Sequence, residues 1–339
     1  MVDWSLGYSA RYYMTVLDKD TLRDIDRIEI YDGTIKRSLT ELCESADVSC
    51  VNYDNKEEQI IRIWLDAKQN GDSSHIPLFT GLASCPTDKY SGRSKTNTLE
   101  CYSMLKIAQD ILLPRGWYVP VEANSGLIIK DLLSVTGVPI YPEDIVETTP
   151  AIKQSIIAEQ GESRLSMVYK ILSAMTDWRL RLDGYGSIYI EPITKEEKMT
   201  FSSSDNDVIE TDISITYDWY TAPNVLRCVL DDNYAEARDE NPNSPLSIQN
   251  RGREVWIENT DVQLNKGETL AEYAQRMLKK YQETATTMSY ARRFFPDLYL
   301  NDCVRINYPA QKISGLYKIK DQNISLGYGA RTSEEVVKI

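Results

Sequence analysis

One histidine, several pairs of adjacent carboxylates, a short acidic triplet and a double arginine beside a double phenylalanine are the residues of this 339-residue chain that could do chemistry. His75 stands between Ser74 and Ile76, where a loop meets a strand, and a hydrolytic triad or histidine-based metal centre needs partners the sequence does not single out. A glycosidase needs two carboxyl groups held ~5–10 Å apart across a sugar cleft. The adjacent pairs Glu57-Glu58, Glu196-Glu197, Asp231-Asp232 and Glu334-Glu335 do not suit that task, because neighbours on a strand point to opposite faces; all read as solvated surface. Asp205-Asn206-Asp207 opens like a calcium loop but lacks the glycine at the sixth position and the twelve-residue spacing. Gly184-Tyr185-Gly186 lies between two strands with no helix after it, which makes it a hairpin turn rather than a dinucleotide loop. Arg292-Arg293-Phe294-Phe295 has the make-up of a small nucleic-acid patch, but in an acidic chain an interface or strand-edge role is preferred. No catalytic, cofactor-binding or metal-ligating residue is assigned, no cofactor is implied and no enzyme is expected.

Composition narrows the class further. Thirty-eight Lys and Arg against 51 Asp and Glu give a net charge of -13, which disfavours nucleic-acid binding because that affinity rests on cationic neutralisation of phosphates. The acidity is uneven: Phe201 to Glu258 holds twelve acids and four bases. Six cysteines (Cys43, Cys50, Cys85, Cys101, Cys228, Cys303) show no CxxC pair and read as buried free thiols. Tyr outnumbers Phe 22 to 4, which suits half-buried strands and wet interfaces. No apolar run approaches the ~20 residues that cross a bilayer, and Met1 to Leu6 lacks the basic start and apolar stretch of a secretory signal, so no export is expected.

The elements that would position these residues are mostly strands. Residues 10–17, 25–31, 47–53, 59–67, 76–83 and 97–102 are rich in β-branched and aromatic residues and are separated by turn chemistry such as Asn70-Gly71-Asp72. Ser38 with Glu41 predicts a short helix over 39–45. Helical periodicity follows at 103–113, ended by Pro114, then at 127–135, closed by Gly137, and at 163–176. A hairpin comes next, Trp178 to Leu182 and Ile188 to Ile190. A strand at 224–230, a long polar loop at 231–250, a helix over 268–283 with a Thr269–Glu272 capping box, and short strands to the end complete the chain. The fold class expected is mainly β with an α+β insert: two barrel-like β modules, each with a packed helix, and a small middle α+β domain. The boundaries are 1–115, 116–195 and 196–339, the last with the acidic loop 231–250. The six tryptophans (Trp4, Trp64, Trp117, Trp178, Trp219, Trp256) mostly sit in strand patterns and read as core, against a carbohydrate-binding accessory that would expose them as platforms.

The order of parts resembles the baseplate hub family of phage tails and related contractile injection machines. That family includes the late control protein D group, defective-prophage tail proteins and the hub portion of type VI secretion spikes. The matching stretches are Leu78-Phe79-Thr80-Gly81-Leu82 with Leu99 to Leu105, Ser163 to Ser166 with Trp178-Arg179-Leu180 and Gly186 to Ile190, and Pro296 to Val304 with Gly315 to Ile319. Asn301 stands where the family has glycine, and asparagine also tolerates the left-handed conformation. The resemblance implies a homotrimeric ring in which two similar modules per subunit match a sixfold tail tube above, while threefold symmetry matches the spike protein below. It further implies tape measure and baseplate wedge proteins as partners, while the charge balance and the lack of a long apolar run argue for no specific nucleic acid and no membrane span. Assembly would take place in the bacterial host cytoplasm, within a virion tail or a bacteriocin-like particle. Some members carry a C-terminal lysozyme or spike extension; this chain stops at Ile339, so such activity is expected on another chain. Asp231, Asp232, Glu236, Asp239 and Glu240 are the candidates for an acidic patch lining the channel, with a plain solvated loop as the other reading. A tail-associated cell-wall glycosidase using a carboxylate pair is the alternative function.

Overall fold

Strand β1 (Ser9–Leu17) sends Tyr12, Met14 and Val16 into one core and pairs on both sides. It does so because alternate side chains of a strand share a face. It belongs to a computed structural model that describes residues 2–339 except 52, 55, 56, 85, 93, 144–148, 153, 154, 176, 204–208, 210, 211, 261, 263, 265, 266, 284 and 328–330. With β2 (Asp24–Ser38), β3 (Glu44–Cys50), β4 (Gln59–Gln69), β5 (Asp72–Ala83) and β7 (Ser94–Ser103) it closes an antiparallel ring in the order β1-β4-β5-β7-β3-β2-β1. Strand β6 (Thr87–Ser91) hangs on β7 as a hairpin. The β4–β5 turn is Asn70-Gly71, both at positive φ (49° and 92°), as a two-residue hairpin requires. Ile61, Ile63, Leu65, Phe79 and Leu99 fill the ring. No helix forms over 39–45; the chain turns there and enters β3 at Glu44.

The middle of the chain is helical on one side. It runs α1 (Leu105–Asp110), β8 (Tyr118–Val119), α2 (Ser125–Leu133), β9 (Ile140–Tyr141), β10 (Ile156–Ile157), α3 (Arg164–Met175) and the hairpin β11 (Trp178–Leu182) with β12 (Ile188–Pro192). Asn124 caps α2 by accepting from the Leu127 amide, and Gly137 (φ 71°) closes the 3-10 turn after it. Leu132, Leu165, Val168, Ile171, Ile188 and Ile190 make its core, which Leu105 and Ala108 of α1 also enter.

The last third rebuilds the first. Strands β13 (Glu197–Ser202), β14 (Ser214–Tyr217), β18 (Thr286–Arg293), β19 (Cys303–Tyr308), β20 (Ile313–Leu326) and β21 (Arg331–Lys338) form six neighbours in the order β13-β19-β20-β21-β18-β14. Phe201, Met288, Val304, Ile306, Ile319 and Val336 lie within. Between β14 and β18 the chain inserts a small sheet, β15 (Val225–Leu230), β16 (Asn233–Arg238) and β17 (Trp256–Asn259), in the order β16-β15-β17, with a one-turn helix α4 (Ile248–Arg251). Helix α5 (Leu270–Glu283) lies on this small sheet through Tyr273, Ala274 and Leu278. The stretch 231–250 is thus a loop only over 239–247: a turn at Asp231 (φ 52°) reverses the chain into β16, and Ile248 begins α4.

The two six-stranded modules share one sheet. Strand β2 pairs with β1 over its first half and, over Gly33–Ser38, with Asp321–Leu326 of β20. Both long strands carry a register shift, between Ile30 and Asp32 in β2 and between Ile319 and Asp321 in β20. Bulges bend a strand and sharpen its twist, which lets one strand serve its own module and then the seam. The class is mainly β with small helical inserts, as the strand patterning implies.

Candidate functional site

Three bodies meet around the β11–β12 hairpin. Its turn reaches the first module, where the Thr80 hydroxyl donates to the Gly184 carbonyl at 2.8 Å and the aromatic edge of Tyr185 meets Trp64. On the other side Arg179 pairs with Asp302 at 2.9 Å and donates to the Leu300 carbonyl, both on the segment that leads into β19. Lys198 of β13 pairs with the same Asp302 at 2.9 Å. Arg181 binds Glu191 at 2.9 Å and stacks on Tyr299, whose other neighbour is Arg37 of the first module, 4.8 Å from the ring centroid. Arg37 in turn pairs with Glu44 at 2.8 Å, both buried. Burial pushes the Glu44 carboxyl up to about 7, against the pull of Arg37. Asn301, at the tip of this segment, has φ 63°, the left-handed conformation expected of it, and its amide donates to Ile319.

Beside this joint lies a cavity of about 600 Å³ whose walls come from β11, α3, α5, β20 and the turn before β3. Nine basic side chains and three acidic ones line it, in a protein of net charge -13. Its apolar wall includes Trp178, Leu180, Tyr273, Met277 and Leu300. The sequence reading missed this cavity because its cations sit on elements far apart in the chain. The signal was local and weak: Arg276 and Lys280 are four apart on a helix, and Lys318 and Lys320 are two apart on a strand.

The acidic candidates do not form one patch. Asp231 and Asp232 sit exposed at the tip of the β15–β16 hairpin, while Asp239 follows its far end, roughly 20 Å away at ~3.3 Å per residue. Glu236 is held by Arg227 at 2.8 Å, Glu240 lies 3.9 Å from Arg238, and Asp239 accepts from Ser244 and Gln282. His75 stacks on Trp64 (centroids 4.1 Å apart) and bonds Asp66 across the strand pair at 2.6 Å, half exposed. Ser103 and Lys106 have the spacing of a nucleophile and its base, but the serine hydroxyl donates to the Leu42 carbonyl and the lysine pairs with Asp110. Among the described residues no group of His, Cys, Asp or Glu could hold a metal ion; Asp205, Asp207 and Cys85 lie outside them. Cys43, Cys50, Cys101, Cys228 and Cys303 are buried and free.

Other expectations need correction. Arg292 is not at an interface: it is the largest fully buried side chain, bound to Glu334 through Nε at 2.9 Å, and Glu334 also accepts from Tyr290 and Gln322. Glu334 is thus core (3% exposed) and not solvated surface. Trp219 and Trp256 are 46% and 45% exposed, not packed. Trp219 stacks on Tyr217 and leans toward Arg251 and Arg253, whose guanidinium groups donate to its carbonyl. Tyr118 and Ile157, opposite each other on β8 and β10, are exposed as well.

No family model matches the sequence, and no curated protein matches it. The fold does match solved structures. The 43 kDa tail protein of prophage MuSo2 from Shewanella oneidensis aligns with a TM-score of 0.69 at 14% identity, over 97% of this chain and 98% of that one. A tail protein from Neisseria meningitidis aligns with a TM-score of 0.71 at 13% identity, over 98% and 97%. A type VI secretion component of E. coli, described as structurally similar to the T4 phage tail proteins gp27 and gp5, aligns with a TM-score of 0.54 at 9% identity, over 96% and 76%. A chain of the Francisella PdpA–VgrG complex aligns with a TM-score of 0.57 at 7% identity, over 98% and 58%. The chain has the fold of phage tail and type VI secretion proteins.

Proposed function

We propose that this chain is a non-enzymatic hub subunit of a phage tail or phage-derived particle, three copies of which close a ring around a central channel. The observation that carries the reading is the duplication: two six-stranded modules joined by the antiparallel β2–β20 seam. Three such subunits present six related modules, so one ring can meet a sixfold tube on one side and a threefold spike on the other. The whole-length likeness to prophage tail proteins supports the tail setting, and the likeness to a chain of the PdpA–VgrG complex supports a spike as partner. Tube, tape measure and wedge proteins are the other proposed partners, with assembly in the bacterial host cytoplasm. The arginine–carboxylate joint would hold the three bodies of one subunit in a fixed relation, which a ring needs if its modules are to alternate evenly. The glycosidase alternative gains little from the geometry: Glu44, Glu191 and Asp302, three carboxylates at the joint, are each bound to arginine.

The acidic hairpin tip at Asp231 and Asp232 is the proposed channel-facing part of the original acidic patch, since like charge disfavours adsorption of passing acidic cargo. Light scattering across a concentration range tests the assembly. A mass rising toward three times the 38.8 kDa chain mass, with rings visible by negative-stain microscopy, is expected. A chain that stays monomeric at every concentration, and closes no ring when tail tube protein is added, overturns the reading.

A further inference from the structure

The cavity beside the joint has a chemical character of its own. Arg276 and Lys280 project from α5, and Lys318 and Lys320 from β20, into the same space. Two of these cations are satisfied: Arg276 by Glu268 at 2.7 Å and Lys318, more loosely, by Glu283 at 3.5 Å. Lys280 and Lys320 have no ion pair among the described residues. Cations brought this close repel one another, and Glu283, Glu335 and Asp177 oppose that repulsion from nearby without forming an ion pair with either lysine. Burial and its cationic neighbours Lys318 and Lys280 hold the Lys320 ammonium down at about 8, and burial with Arg276 and Lys318 lowers Lys280. The same cavity is lined by Trp178 and Leu300, and by Tyr273 and Met277 on the helix that carries Lys280, an apolar surface able to cover a hydrocarbon or aromatic body. The volume falls within the ~300–1,000 Å³ range of small-molecule sites, and the lining is more cationic than such sites usually are.

We propose that this cavity is a binding site for a small amphiphilic anion, a carboxylate head seated between Lys280 and Lys320 with its apolar body against Trp178, Tyr273 and Met277. The site is independent of whether the chain closes a ring. Its walls come from the middle domain, the inserted sheet's helix and the second module, so an occupant would also brace these bodies against one another.

Isothermal titration of the full chain with sodium octanoate tests the site, with 1-octanol and inorganic phosphate as controls. Saturable one-to-one binding of octanoate at pH 7 is expected, with octanol and phosphate each at least ~10-fold weaker. The double variant Lys280→Gln/Lys320→Gln should lose at least ~10-fold, and Lys89→Gln, on the distant β6 hairpin, should change nothing. Affinity should also fall between pH 7 and pH 9 as Lys320 gives up its proton, with Lys318, Lys280, Glu283 and Glu335 the charged groups around it and Arg276 and Asp177 beside Lys280. Unchanged unfolding midpoints in the variants show that the fold is intact. Equal octanoate binding by wild type and the double variant, octanol binding as tight as octanoate, or no saturable binding at all overturns the proposal. Phosphate binding as tight as octanoate would show that the apolar wall takes no part, and would overturn it too.

Discussion

Replacing Arg292 by leucine would leave the Glu334 carboxylate buried with only Tyr290 and Gln322 to bind it. Breaking a buried pair from one side costs about 3–5 kcal/mol, whereas exchanging both members for apolar groups of similar volume is near neutral. Arg292→Leu should therefore lower stability by that amount in urea unfolding, and Arg292→Leu/Glu334→Leu should recover most of it. Equal losses for the single and double variants would show that packing around Phe201 and Phe295, both near the guanidinium, dominates over charge. The sequence misled at this residue for an instructive reason. Neighbours such as Glu334 and Glu335 do point to opposite faces, which argues against a catalytic pair. The same alternation means that one of them points inward whenever the strand covers a core. Asn301 was legible through the family resemblance, which puts glycine at its place, and asparagine tolerates the left-handed conformation that glycine would adopt there.

At the scale of elements, the β11–β12 turn shows how closely the middle domain and the first module approach. A Cβ added to Gly184 would lie 1.9 Å from the Pro77 carbonyl oxygen, so the backbones must separate to admit it. Gly184→Ala should loosen the hairpin from β5, costing about 1–3 kcal/mol as overpacking does. Limited proteolysis should then cut faster around 183–187, while far-ultraviolet circular dichroism stays the same; unchanged cleavage would mean that the turn is not the clasp. The hairpin itself was readable from its alternating strands and glycines, and so was α5, where the Thr269–Glu272 reciprocal bonds form as the spacing implies. Strand β16 was not readable. Its inward residues are Ala235 and Ala237, small because α5 lies close over that face, and its outward ones are Tyr234, Glu236 and Arg238. Alternation between alanine and charge carries almost no hydrophobic signal, so a paired strand resembles a polar loop.

At the scale of the molecule, the joint around Glu44 couples stability to pH. Its carboxyl holds a proton more tightly when folded (about 7) than at its ordinary value of 4.5. That contribution is complete below about pH 4.5 and is lost as pH rises through 7, on the order of 3 kcal/mol at most. Glu44→Gln should flatten the pH dependence of unfolding free energy between pH 5 and 7; an unchanged slope would place the titrating group elsewhere. What held the whole molecule together was the part least visible in sequence, since β2 and β20 pair across nearly three hundred residues and no local pattern marks such a seam. The two modules also differ in closure. The first closes into a ring, whereas in the second β13 and β14 are each paired on one side only among the described residues. Free edges invite pairing with another chain unless charges guard them. Strand β13 carries exposed Glu197 and Lys198, but β14 reads Ser-Ile-Thr-Tyr, exposed throughout and uncharged, with Trp219 and Tyr220 exposed just beyond it. That asymmetry suits a head-to-tail contact between copies, in which one unguarded edge meets a different surface of the next subunit and the rotation closes a ring. Ile215→Lys/Tyr217→Lys should then weaken self-association by at least ~10-fold in light scattering while leaving the unfolding midpoint in place, because both side chains already face solvent in the single chain. Assembly undiminished in that variant would remove β14 from the contact and turn attention to the exposed Tyr118 and Ile157 face of the middle domain.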